Sequence, residues 1–122
     1  MCGITGIVAF NEKGKKYFPK LNDAIKTLSN RGPDGNGRYI HNNVALGHTR
    51  LAIIDTTNAA AQPFTDVSGR YTIVFNGEFF NFNDYREELS EEFSFRSHSD
   101  TETLLYLYIN KRENLTWKQY KK

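Results

Sequence analysis

An α+β domain, with antiparallel strands and helices in alternating clusters, is the fold class this sequence predicts. Three observations predict it. Runs rich in β-branched and aromatic residues recur between turn signals. Three segments read as helices, one of them with a well-marked start. No internal repeat, low-complexity segment or long linker divides the chain, so residues 1–122 read as one domain. A chain of this size hides roughly two-thirds of its unfolded surface on folding, enough for a real core.

Taken in order, Ile4 to Phe10 is a strand flanked and interrupted by the small residues Gly3 and Gly6. Leu21, Ile25 and Leu28 fall at helical spacing and place a helix over Leu21 to Asn30. Arg31-Gly32-Pro33-Asp34-Gly35 must end it, because two glycines and a proline cannot continue a helix. Gly37 to His41 and Val44 to Thr49 are strands around Asn42-Asn43, and asparagine tolerates the positive φ of a tight hairpin. Leu51 to Asp55 is β-rich, and Tyr71 to Phe75 has a β-former at every position. Asn76-Gly77 before the apolar run Phe79 to Phe82 offers a further hairpin turn. Asp84 to Glu91 is a short helix and Thr101 to Lys111 a longer one. Ser99-Asp100-Thr101-Glu102 is a capping box, with the Ser99 hydroxyl accepting from the amide of residue 102 and Glu102 reaching back. Leu104, Leu105, Leu107, Tyr108 and Ile109 make most of that helix apolar, so it should be substantially buried.

Composition excludes several classes. No apolar run approaches the ~18 residues of a membrane span. The apolar N-terminus lacks the basic region and cleavage site of a signal peptide. The single cysteine, Cys2, can form neither an internal disulfide nor a Cys-rich zinc site, which points to the cytoplasm. Residues 109–122 carry five basic side chains against one acidic, while the preceding 108 carry 11 basic and 13 acidic. A nucleic-acid partner would need a basic face, and that short tail, without a reading motif, is more readily a solvated helix end. His41, His48 and His98 have no metal-like spacing, and no HExxH, Walker A, GxGxxG or GxSxG motif occurs.

Cys2 remains. If Met1 is removed, the mature chain begins with a thiol and a free α-amine whose unperturbed pKa values lie close together, about 8.5 and about 7.7–8.0. The amine can then take the thiol proton, directly or through water, with no histidine required. The bland alternative is a small buried hydrophobe. Acyl transfer at sulfur also needs an oxyanion hole, for which Asn76 supplies an amide and Gly77 an unobstructed N–H, unless the pair is a plain turn. Arg50, after a strand, suits a substrate carboxylate bidentately. Glu78 and Asp100 suit an ammonium, although Arg50 and Glu78 also fit an ordinary surface and Asp100 also complements a helix dipole.

Together these residues carry a resemblance. Met-Cys-Gly-Ile-Thr-Gly-Ile at 1–7, Arg-Gly-Pro-Asp-Gly at 31–35 and Gly-His-Thr-Arg-Leu-Ala-Ile-Ile-Asp at 47–55 are followed by Gln-Pro-Phe at 62–64, Phe-Asn-Gly-Glu-Phe-Phe-Asn-Phe at 75–82 and Ser-Asp-Thr-Glu-Thr-Leu-Leu at 99–105. In this order and spacing the chain resembles the N-terminal glutaminase domain of class II glutamine amidotransferases, which are N-terminal-nucleophile hydrolases, and within them the asparagine synthetase branch. The resemblance implies a four-layer αββα sandwich of antiparallel sheets. It implies Cys2 as the nucleophile that forms a glutamyl thioester and releases ammonia from glutamine, with Asn76 and Gly77 as the oxyanion hole. Arg50 would hold the substrate carboxylate, the backbone of Leu51 to Ile54, with Ile53 and Ile54, would line the same pocket, and Glu78 and Asp100 would bind the amino end.

Two departures accompany it. Phe79-Phe80 stands where the family has Ile-Tyr, a conservative change. After the long helix the family continues into a Gly-Met-Phe-Ala-like strand pair, where this chain has Leu115-Thr116-Trp117-Lys118-Gln119-Tyr120. The fold is therefore expected to be incomplete at its C-terminus, with uncovered apolar faces. No Ser-Gly-Gly-x-Asp-Ser pyrophosphate loop occurs in these 122 residues, so the synthetase domain that carries it in the family is expected to be absent from them. ATP and Mg belong to that domain and the glutaminase step needs no cofactor. The implied partners are glutamine as substrate and an ammonia-accepting synthetase domain, in cis or trans, with neither nucleic acid nor membrane. The rival expectations are a non-catalytic truncated remnant serving as a binding or regulatory module, distinguished by a retained Met1, and a nucleic-acid module built on Lys118, Lys121 and Lys122. A different amide substrate is the third.

Overall fold

Three strands, β1 (Gly3–Val8), β2 (Gly35–His41) and β3 (Val44–Arg50), form an antiparallel sheet in the order β1-β3-β2. They come from a computed structural model, which describes residues 1–114. The register runs from Gly3 opposite Thr49 to Val8 opposite Val44 on one side of β3, and from Gly35 opposite Arg50 to His41 opposite Val44 on the other. The β2–β3 hairpin turns at Asn42-Asn43, with Asn42 at φ 51°, the left-handed conformation for which asparagine is suited.

Ala45, Gly47 and Thr49 alternate onto one sheet face, and α1 (Leu21–Thr27) packs there. A Cβ at Gly47 would lie 2.7 Å from Ile25 Cγ1, so the glycine is what lets the helix sit so close. A 3-10 helix over Glu12–Lys20 precedes α1, and the sequence reading missed it. Its apolar content is slight, with Phe18 its buried residue, and Gly14 and Pro19 weaken any helical pattern. It is held instead by its cap, where the Asn11 side chain accepts from the Gly14 N–H at 2.9 Å. Ala9, Phe18, Leu21, Ile25 and Ala45 form the first core.

The second core is Phe64, Leu89, Leu105, Tyr106 and Ile109. It joins the two-stranded sheet β4 (Phe64–Thr65) and β5 (Thr72–Ile73) to α2 (Phe82–Leu89) and α3 (Asp100–Asn114). Phe93 stacks on Tyr106 at 4.8 Å between ring centroids, a strong apolar contact at its centre. Among the described residues no helix is long and apolar enough to cross a membrane.

Three expectations of strand or turn are corrected, the two strands for the same reason. Leu51 to Asp55 is not a strand, because the Leu51 N–H goes to Cys2 Sγ and the Ala52 N–H to Asp34 Oδ2. The strand expected over Tyr71 to Phe75 pairs only at Thr72–Ile73, because Asp66 takes the Tyr71 N–H and Gln62 the Phe75 N–H. Asn76-Gly77 is no hairpin turn: neither residue has positive φ, and Phe82 already begins α2. Propensity marked β-formers, but side chains distant in sequence claimed their amides. The capping box forms by half. Ser99 Oγ accepts the Glu102 N–H at 3.2 Å, whereas the Glu102 carboxylate accepts the Arg96 and Ser97 N–H groups, each at 2.8 Å, and not that of Ser99. Remaining boundaries shift by a few residues: β1 stops before the exposed Phe10, and α3 reaches Asn114. The basic tail at Lys118, Lys121 and Lys122 and the departure over residues 115–120 lie outside the described residues.

Candidate active site

The end of β3, the start of β1 and the N-terminus of α3 meet around a cavity of about 550 Å³, within the usual range for small-molecule sites. Cys2 reaches it from the residue before β1. Its thiol is held against one peptide unit: the Leu51 N–H donates to Sγ at 3.3 Å, and Sγ–H points to the Leu51 carbonyl at 3.6 Å. The register explains this, since Gly3 pairs with Thr49 and the two strands continue outward to bring Cys2 beside residues 50 and 51. The Arg-Gly-Pro-Asp-Gly segment braces both partners. Arg31 Nε–H donates to the Cys2 carbonyl at 3.3 Å, and Asp34 Oδ2 accepts the Ala52 N–H at 2.8 Å.

Arg50 leaves β3 half-buried and turns onto the loop that follows. Its Nη1 donates to the Thr57 carbonyl at 2.7 Å and its Nη2 to the Asp55 carbonyl. The guanidinium has five N–H donors, so this anchoring of its outer end leaves the Nε side for a carboxylate. Asp55 fixes that loop. Its Oδ1 accepts from the Thr57 hydroxyl at 2.6 Å and N–H at 2.8 Å, and its Oδ2 from the His98 N–H at 2.7 Å. These bonds, the Thr57 hydroxyl first, hold the Asp55 carboxyl down at about 2.

The opposite wall carries Asn76, Gly77 and Glu78, all exposed to the cavity side of the chain. Asp100, buried in the first turn of α3, accepts the Phe79 N–H on Oδ2 at 2.9 Å, which leaves Oδ1 uncommitted by this bond. Gln62 bridges the same region, accepting the Phe75 N–H on Oε1 at 2.6 Å and donating from Nε2 to Thr101 Oγ1 at 3.2 Å. His48 lies behind the wall, 1% exposed, and among the described residues neither ring nitrogen has a hydrogen-bond partner. Burial lowers its pKa, the Phe75 backbone opposes that, and the Arg50 charge adds to it.

All the residues singled out by sequence line this one cavity. Cys2, Asn76 and Gly77 are there, as are Arg50, Leu51, Ile53 and Ile54, and Glu78 and Asp100. Ile53 and Ile54, at 67% and 47% exposed, form part of its rim. Sequence reasoning missed Asp55 and Gln62 as site residues. Both stood inside quoted motifs, but the Asp55 partner His98 is 43 positions away and the Gln62 partner Thr101 is 39, distances no local pattern spans.

A glutamine amidotransferase domain model matches residues 1–118. Asparagine synthetase [glutamine-hydrolyzing] 3 of Bacillus subtilis is 39% identical over 117 residues, covering 93% of this chain and 19% of its own length. A probable asparagine synthetase [glutamine-hydrolyzing] of Schizosaccharomyces pombe is 38% identical over 108 residues, covering 88% of this chain and 19% of that protein. Amidase chry2 of Gibberella zeae is 35% identical over 119 residues, 88% of this chain and 18% of the amidase. The chain thus spans about a fifth of the length of these curated relatives. A match that runs through every motif around the cavity leaves one conclusion: this chain belongs to the glutamine amidotransferase domain family.

Proposed function

We propose that this chain hydrolyses glutamine to glutamate and ammonia through a thioester on Cys2. The convergence of Cys2, Arg50, Asn76, Gly77, Glu78 and Asp100 on one cavity carries the reading. A zwitterionic amino acid needs a cation at one end, anions at the other and a nucleophile at its side chain, and the cavity offers these three in separate places.

In this mechanism Met1 is removed and the Cys2 α-amine takes the thiol proton. Sulfur attacks the substrate side-chain carbonyl, and the resulting oxyanion is met by the Asn76 amide and the Gly77 N–H. Collapse breaks the C–N bond, the ammonium returns its proton to the leaving nitrogen, and ammonia departs. Water then adds to the thioester, the α-amine again serving as base, and glutamate leaves as the sulfur regains its proton. Arg50 holds the α-carboxylate while Glu78 and Asp100 take the α-ammonium. The step calls for no metal or cofactor.

At the level of the fold, we read the three-stranded sheet with α1 as one half of a four-layer αββα sandwich. Half-exposed Ile4 and Val8, on the face away from α1, support a further layer there that the chain's described residues leave incomplete. In a longer protein the ammonia would pass to an acyl group activated by ATP and Mg on a synthetase domain, in cis or trans, as the asparagine synthetase relatives suggest by name. A nucleophilic free thiol also suits the reducing cytoplasm.

Glutamate and ammonia released from glutamine by the purified chain test the reading. Cys2→Ala should abolish release. Arg50→Ala should raise KM for glutamine by about 10–100-fold, the worth of a charged hydrogen-bond pair. Activity retained by Cys2→Ala, or an unchanged KM in Arg50→Ala, would reject the assigned roles.

A further inference from the structure

We infer that Gln62 is a positioning residue for the oxyanion-binding segment Asn76–Gly77, an assignment that rests on the glutaminase reading above. Asn76 and Gly77 are exposed, and among the described residues they make no hydrogen bond of their own. The β4–β5 ladder, which could have held them, ends at Ile73. Their placement therefore depends on the fixed points on either side, Phe75 before them and Phe79, whose N–H donates to Asp100 Oδ2, after them, and Phe75 is the nearer. The bond that fixes it is short, 2.6 Å from the Phe75 N–H to Gln62 Oε1.

Gln62 is itself held at three points. Its Nε2 donates to Thr101 Oγ1 in the first turn of α3, next to Asp100. Because Oε1 faces an N–H, which can only donate, the orientation of the amide follows from the network. Its main chain presses on β2: a Cβ at Gly37 would lie 2.1 Å from the Gln62 carbonyl oxygen, so only glycine admits the contact. One residue thus connects, through its carbonyl, the sheet beside Cys2 and, through its side chain, the segment that carries the oxyanion donors and the helix that carries Asp100. Both ends of the Gln62 amide are spent on protein partners, which argues for positioning and against direct contact with glutamine.

An oxyanion donor works only within a few tenths of an ångström of its ideal distance, and a misplacement near 1 Å costs about 10²-fold in rate. Loss of the Phe75 anchor should therefore appear in kcat, because the oxyanion exists only beyond the ground state. Gln62→Ala in the full chain should lower kcat for glutamine by about 10–100-fold, leave KM within about threefold, and keep the same fraction of sites titratable by a diazo-ketone glutamine analogue. Hydrogen exchange should speed up at the Phe75 amide, with the α1–sheet core unchanged. Gln62→Glu keeps an acceptor for the Phe75 N–H and a second for the Thr101 hydroxyl, so it should restore the slow exchange.

Three results with glutamine or its analogue would overturn the inference: an unchanged kcat, a rise in KM in step with the fall in kcat, or a loss of titratable sites that accounts for the whole loss of rate. Unaltered exchange at Phe75 would overturn it without reference to activity. A wild-type chain that releases no ammonia instead overturns the glutaminase reading, and the exchange data still report whether Gln62 holds Phe75.

Discussion

Asp55 shows how much of the site depends on a residue that touches no reacting atom. Its carboxylate accepts from Thr57 and His98, and the loop so fixed offers the carbonyls of residues 55 and 57 to Arg50. The same contacts depress its pKa from an ordinary 3.8 to about 2. A depressed carboxylate contributes stability that is fully present above its unfolded value and is lost as pH falls through its folded value. The gap in thermal midpoint between the wild-type chain and Asp55→Asn should therefore be largest above pH 4 and close towards pH 2. A gap that is constant over this range would remove the carboxylate from the account. Sequence could name Cys2, Arg50, Asn76, Gly77, Glu78 and Asp100 because each has a chemical type suited to the substrate proposed above. Asp55, Gln62 and Asp34 are chosen by geometry instead. Their use is to end a hydrogen bond begun on a distant segment, and composition or spacing does not show that.

At the scale of elements, the close packing of α1 on the sheet rests on a missing side chain. Gly47→Ala would put its Cβ 2.7 Å from Ile25 Cγ1 and 2.9 Å from Thr5 Cγ2, a crowding expected to cost about 1–3 kcal/mol. Gly35, which has open space where a Cβ would point, is the matched control: Gly35→Ala should stay within about 0.5 kcal/mol. Denaturant unfolding of the two variants checks both, and equal effects would refute the steric argument. Elements with one dominant local cause were legible. The helix over Leu21 and Ile25, the Asn42-Asn43 hairpin and the capped start of α3 all follow from periodicity, turn chemistry or capping. Elements decided by tertiary partners were not. Residues 51–55 and 74–75 have strand propensity, and they are loops because Cys2, Asp34 and Gln62 take the amides of Leu51, Ala52 and Phe75. The two misread segments are the two walls of the cavity, where a functional site outweighs local preference.

Over the whole molecule, two cores meet at a site that neither contains. The α1–sheet core presents Cys2 and Arg50, and the α2–α3 core presents Asp100 and the segment before α2 with Glu78. Cys2 and Asp100 are 98 positions apart, so the cavity exists only when both cores are formed and docked. The α+β class and the family resemblance were legible because the motifs keep their order along nearly the whole chain. How those motifs hold one another together was not, since each bridging contact, from Arg31 to Cys2 through Gln62 to Thr101, crosses between segments. The central claim is that these pieces make one glutamine-accepting site around a nucleophilic Cys2. The intact mass of the chain before and after exposure to a reactive diazo-ketone analogue of glutamine tests it most directly. The account predicts a chain without Met1 that gains one adduct, on Cys2, and gains none when excess glutamine is present. An unmodified Cys2, or an adduct that glutamine does not prevent, would contradict it.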